Sequence, residues 1–137
     1  MITSYAVAQF AAALISIGLS VLVWHRRRAR GGLFLFYLFA AVSVWTFANS
    51  MEAAAIAQNT KVFWSKVAYV GSQTSPAFLV LFAFEYIGRK HILTEFKIGM
   101  LFIVPIFIIL MAATNESHEL IWNGFSPGPS GTNSMIY

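Results

Sequence analysis

Apolar residues fall along this chain in four long runs separated by short polar stretches. They cover residues 5–24, 33–57, 62–87 and 96–113. An α-helix rising ~1.5 Å per residue needs ~20 residues to cross a hydrocarbon core of ~30 Å, and each run is close to that length. The fourth is the shortest: its apolar centre, IGMLFIVPIFIILMAA, starts at Ile98, and Phe96 with a snorkelling Lys97 extends it. The pattern predicts an all-α integral membrane protein, one domain of four up-and-down transmembrane helices followed by a tail over 114–137.

Polar positions inside the runs are few and patterned. In the first run Gln9, Ser16 and Ser20 lie at i, i+7 and i+11, one helical face, and small hydroxyl residues on a stripe favour helix–helix packing. The second run opens apolar and aromatic, LFLFYLFAAV, then carries Trp45, Asn49 and Glu52 at i, i+4 and i+7. The third carries Lys66, Tyr69, Gln73 and Pro76 at i, i+3, i+7 and i+10, then no polar group from Ala77 to Phe84. Such stripes must face protein or water inside a bilayer. A shallow polar cluster of Trp45, Asn49, Glu52, Lys66, Tyr69 and Gln73, accessible to a ligand, follows at one end of helices two and three. With Gln58, Asn59 and Thr60 as the turn between them, Glu52 and Lys66 reach the same depth, ~6–8 Å below one interface. That predicts an ion pair, the alternative being that both side chains snorkel to water separately. Pro76 and Pro105 lack an amide hydrogen and predict kinks, Pro76 by freeing the Ser72 carbonyl. A hinge and simple tolerance are both compatible with them.

Composition and charge sharpen this picture. Of 137 residues 58% are hydrophobic and 10% charged, with mean hydropathy +0.71, too little charge for a soluble domain. The net charge is +4, and the basic residues sit beside the apolar runs. Arg26, Arg27, Arg28 and Arg30 crowd one loop ahead of a Gly31–Gly32 turn; Arg89, Lys90, His91 and Lys97 outweigh Glu95 in another. The positive-inside rule makes both loops cytoplasmic, so the N-terminus and C-terminus lie outside the cell membrane. These cations suit anionic lipid headgroups, with a specific lipid or partner site as the alternative. Glu85 and Arg89, four apart, predict a modest ion pair. MITSYAVAQF has no positive charge ahead of its apolar run, which favours a retained first helix over a cleaved signal. No groove-reading module or basic-aromatic strand is present, so nucleic acid is not an expected partner. With no cysteine there is no disulfide framework and no thiolate metal site. Glu116, His118 and Glu119 are the only metal-like grouping, three near-adjacent loop residues, and neither metal nor cofactor is expected. Ile121 and Trp122 resemble an interfacial anchor, and SPGPSG a flexible turn.

The stretches WTFANSMEAAA, KVFWSKVAYVGSQTSPAFLVLFAFEYIG, the VP of the fourth run and TNESHELIW carry a family likeness. Through Trp45, Glu52, Lys61, Trp64, Tyr69, Gly71, Pro76, Phe84, Tyr86, Pro105, Thr114, Asn115, His118 and Trp122 the chain resembles the N-terminal seven-helix sensor region that precedes histidine kinases and related signalling outputs. The resemblance implies a membrane-embedded input module that senses something outside or within the membrane and passes a change to a cytoplasmic output. It also implies seven helices, whereas Tyr137 falls in what would be the loop before the fifth. The expected partners are therefore membrane lipids, together with the remaining helices and an output domain or a second copy. His25 lies in an arginine run rather than a phosphoacceptor helix, and no glycine-rich phosphate loop occurs, so no kinase activity is expected of these residues. The rival reading is a small oligomeric transporter or channel component, which needs polar groups across the full thickness. A third is a truncated gene product.

Overall fold

Residues 4–122 are described by the computed structural model, and they are helical almost throughout. Helix α1 covers Ser4–His25, α2 Gly32–Ala54, α3 Gln58–Tyr86 and α4 Glu95–Ala113, while α5, Asn115–His118, is a single turn. A 3-10 turn, Lys90–Ile92, precedes α4. Among the described residues α1 to α4 are the helices long and apolar enough to cross a membrane, so this is a multi-pass membrane protein.

Small residues decide where the helices meet. The buried apolar side chains are Ala6 and Ala13 on α1, Ala41, Ala48 and Ala53 on α2, Ala68, Ala77 and Leu81 on α3, and Ala112 on α4. Lipid tails are as apolar as leucine, so helices associate where small side chains let the backbones come close. At the tightest point a Cβ added to Gly71 would lie 2.4 Å from the Ala41 carbonyl oxygen and 2.6 Å from the Trp45 amide nitrogen. Ser16 and Ser20 are buried as their stripe predicts, while Gln9 is half-buried and donates to the Tyr5 hydroxyl at 3.1 Å. Across the α1–α2 seam the Ser50 hydroxyl donates to the Ala6 carbonyl at 3.0 Å. Rings of Tyr37, Phe78 and Phe102 tie α2 to α3 and α3 to α4, at 5.4 and 5.3 Å. Each helix packs on its neighbours in sequence, and α1 does not pack against α3 or α4, so the helices form an open row. Large side chains on the outer members, such as Leu14, Ile15, Ile103 and Phe107, stay exposed.

The turns have identifiable causes. Gly31 takes φ +77°, and a Cβ on Gly32 would sit 2.7 Å from the Arg26 carbonyl, so this glycine pair makes the sharp α1–α2 reversal. The α2–α3 turn falls at Ala55, Ile56 and Ala57, not at Gln58–Asn59–Thr60. The extended backbone of Ala57 starts α3 at once, and Lys61 N–H donates to the Ala57 carbonyl. Gln58, Asn59 and Thr60 thus form an exposed first turn, where unpaired amides can reach water. At the far end Gly88, φ +77°, closes α3: its amide bonds the Glu85 carbonyl and the Arg89 amide the Phe84 carbonyl, a Schellman arrangement. The expected Glu85–Arg89 pair therefore does not form. Arg89 has already left the helix, and Glu85 pairs with Lys90 at 3.2 Å. Helices α3 and α4 run unbroken through Pro76 and Pro105. Ahead of Pro76 the Thr74 and Ser75 hydroxyls bond back to the Val70 and Gly71 carbonyls, at 2.7 and 2.6 Å. The SPGPSG turn lies outside the described residues.

Candidate functional site

Beyond the close contact at Gly71, α2 and α3 leave room between them toward their shared turn. Trp45, Asn49 and Glu52, on successive turns of α2, form one wall of a cavity of about 260 Å³. Ser65, Ala68, Tyr69 and Ser72 of α3 form the other, and Tyr5 of α1 contributes an edge. Of the polar cluster expected from the sequence, Trp45, Asn49, Glu52 and Tyr69 come together here. Glu52 is only 8% exposed, and among the described residues its side chain has no hydrogen bond and no ion pair. Lys61, in the first turns of α3, acts on it electrostatically without forming an ion pair.

Lys66 and Gln73 do not join the cavity. Successive residues advance ~100° around a helix, so Lys66 and Gln73, seven apart, share a direction about 100° from that of Ser65 and Ser72. That direction leads to α4. The Lys66 ammonium donates to the Ala113 carbonyl at 3.0 Å and to the Glu116 carboxylate. The expected Glu52–Lys66 pair is thus replaced by Lys66–Glu116. The C-terminal end of α4, with an unpaired carbonyl and a negative dipole end, plus a carboxylate one turn on, offers the ammonium more than Glu52 does. The hydrogen bond from Lys66 holds the Glu116 carboxyl below its ordinary range.

Residues 114–122 fold back into a small cap rather than a loose loop. Asn115, 2% exposed, organises it: its Oδ1 accepts from the amides of Ile121 and Trp122, at 2.9 and 3.4 Å, and its Nδ2 donates to the Trp122 carbonyl at 3.0 Å. The Leu120 amide donates to His118 Nδ1 at 3.2 Å, which makes Nε2 the protonated nitrogen facing the Thr114 hydroxyl at 3.1 Å. Both ring nitrogens of His118 are thereby occupied, and no group of three metal-ligating side chains occurs among the described residues. The Trp122 ring lies 5.7 Å from that of Tyr69, so Tyr69 touches both the cavity and the cap.

Tyr5 and Ser65 are not singled out by the sequence, and Ser72 enters there only through its carbonyl ahead of Pro76. Ser65, Tyr69 and Ser72, at i, i+4 and i+7, make as regular a face as Lys66, Tyr69 and Gln73, and the first lines the cavity while Lys66 reaches α4. At the opposite end of the row the Arg27 guanidinium lies 3.9 Å from the Trp24 ring centroid, a cation–π contact. Arg28 lies beside it near His25. Arg26 and Arg30 border a groove of about 460 Å³ walled by Leu35, Phe82 and Tyr86. Arg89 is exposed.

Comparison with known proteins matches residues 8–137 to the family described as the N-terminal 7TM region of histidine kinase. No curated protein and no solved structure matches the chain.

Proposed function

The chain belongs to the N-terminal 7TM region of histidine kinases, a non-catalytic sensor region whose full protein carries a cytoplasmic output domain, and we propose that its stimulus enters the cavity between α2 and α3. One observation carries this reading: the cavity sits at one end of the α2–α3 seam, and Tyr69 joins it to the cap on Trp122. Occupancy that moves Tyr69 pulls on Trp122, and through Asn115 on the end of α4. The long helix α3, continuous from Gln58 to Tyr86, carries the same displacement to the other face, with Pro76 as its weakest turn. The basic loops belong in the cytoplasm and the cavity opens toward the outside, with both termini there. The exposed faces of α1 and α4 are where further helices of the family region, or a second copy, pack. A transporter or channel is less well supported, because the backbones close on each other below the cavity, where Gly71 of α3 meets Ala41 and Trp45 of α2.

The test joins this region in its membrane to a histidine-kinase output and measures autophosphorylation from ATP. Ser65→Trp and Ser72→Trp, which fill the cavity, should each change the signal several-fold, whereas Ile103→Leu on the exposed face of α4 should not. Unchanged phosphorylation in both filled variants, at normal membrane levels, would refute the reading. Orientation has its own check. A lone cysteine at Ile56, 91% exposed in the α2–α3 turn, should react with an impermeant thiol reagent on intact cells, and one at His91 should not. The reverse pattern overturns the topology.

A further inference from the structure

An unpaired carboxylate is an expensive thing to keep out of water, and it is tolerated only when neutralised or matched by a positive charge. Glu52 is more than nine-tenths buried, its side chain has no hydrogen bond or ion pair among the described residues, and it lines the cavity. Among the described residues no sealed side-chain nitrogen or oxygen is left without a partner, so the unpaired Glu52 carboxylate keeps some access, and Glu52 is part of the cavity wall. The other conspicuous lining groups are aromatic: Tyr5 from α1, Trp45 from α2 and Tyr69 from α3. Aromatic faces carry partial negative charge and attract cations, tryptophan most strongly, and such rings around one carboxylate are the chemistry that receives an ammonium group. Lysine, the obvious internal candidate, is accounted for. Lys66 is held by Ala113 and Glu116, and Lys61 acts on Glu52 only at a distance.

We propose that the cavity binds a small organic cation, an amine or quaternary ammonium, with Glu52 as its counter-charge and Tyr5, Trp45 and Tyr69 around it. The proposal deepens the sensory reading by naming the chemical class of stimulus, and it rests on that reading only for what binding achieves. The volume fits the class: drug-sized ligands occupy pockets of ~300–1,000 Å³, and about 260 Å³ admits something smaller. Asn49, Ser65 and Ser72 supply the neutral hydrogen-bonding groups that would select among amines.

The purified chain in lipid nanodiscs would be titrated by calorimetry with tetramethylammonium, with choline, and with 3,3-dimethyl-1-butanol, the uncharged shape-mimic of choline, at constant ionic strength in sodium chloride. Saturable binding of both cations and none of the alcohol is expected. Glu52→Gln should weaken the cations at least tenfold and Trp45→Leu several-fold, while Gln73→Leu, outside the cavity, should leave them unchanged. If Glu52→Gln fails to fold, Trp45→Leu and the alcohol comparison decide. Equal binding of the alcohol, full affinity in the Trp45 and Glu52 variants, or no saturable binding of either cation overturns the proposal. Displacement by sodium alone, without any effect of Trp45→Leu, also overturns it, in favour of a simple ion site. Failure here with a kinase response to the filled cavity leaves the sensory reading standing. Cation binding without that response removes the sensory reading and keeps the site.

Discussion

Replacing Gly71 by alanine adds one methyl group at the tightest point between α2 and α3. Its Cβ would meet the Ala41 carbonyl at 2.4 Å, the Trp45 amide at 2.6 Å and Trp45 Cβ at 2.9 Å, where an ordinary contact begins at 3.4 Å. The obstacles are mostly main-chain atoms of a helix, so no side chain can swing aside and the seam must open locally by about 1 Å. Forced overpacking of this kind costs ~1–3 kcal/mol. The opposing gain is the better helix propensity of alanine, ~0.8–1.0 kcal/mol in soluble helices. The net expectation is a loss of about 0–2 kcal/mol against the parent, up to a ~30-fold shift in the folding equilibrium, and of ~1–3 kcal/mol against a glycine-to-alanine change made in open space. Gly18→Ala in α1 and Gly99→Ala in α4 are the controls, since nothing lies within 4 Å of an added Cβ at either. They should be neutral or slightly stabilising. Reversible unfolding in mixed micelles of rising dodecyl sulfate content, followed by circular dichroism, measures all three. Because the clash falls on Trp45, the emission of a single-tryptophan variant retaining Trp45 should shift as well. If Gly71→Ala is as stable as Gly18→Ala, the helices do not meet as described and the cavity beyond that contact loses its foundation.

A double-mutant cycle should find Lys66→Met and Glu116→Gln non-additive, and Lys66→Met with Glu52→Gln additive; the opposite result would restore the Glu52–Lys66 pair. Because Lys66 lowers the Glu116 pKa in the folded state, the pair stabilises above the unfolded value of ~4.3. That contribution fades as pH falls from there through the lowered folded value, so Glu116→Gln should lower stability at neutral pH and flatten the acid limb of the stability profile. Asn115→Leu strips three hydrogen bonds from the Ile121 and Trp122 backbone. It should cost ~1–3 kcal/mol and open the segment to proteolysis near Leu120, and unchanged resistance would show that Asn115 does not organise the cap.

The crossings were legible because length and hydropathy are properties of each helix alone, and the small-residue stripe of α1 because burial follows the same period. What spacing does not reveal is which neighbour a face meets. Lys66 shows this: its face was read as looking toward Glu52, but the end of α4 stands beside it with a free carbonyl and a carboxylate. Asn115 was visible only as part of TNESHELIW, since its hydrogen bonds span six and seven residues of irregular chain and follow no helical period. Glu85 chose Lys90 over Arg89 because Gly88 ended the helix between them, a left-handed turn that a count of four ignores. The polar triplet after α2 misplaced the turn for a related reason: polar residues mark a first helical turn as readily as a loop.

Because each of α1 to α4 packs, among those four, only against the helix before and after it in the chain, the row has few long-distance closures to make. Every seam can form as soon as its second member is synthesised, an order that suits a nascent chain leaving the ribosome from its N-terminus. The α1–α2 and α2–α3 hairpins, with two walls of the cavity, are then in place before α4 exists. The cap is different. Lys66 and Tyr69 must wait for Glu116 and Trp122, fifty residues or more downstream of them. A nascent chain halted between α4 and the cap would hold a cavity whose Tyr69 has nothing yet to push against, so the part that receives a stimulus matures before the part that reports it.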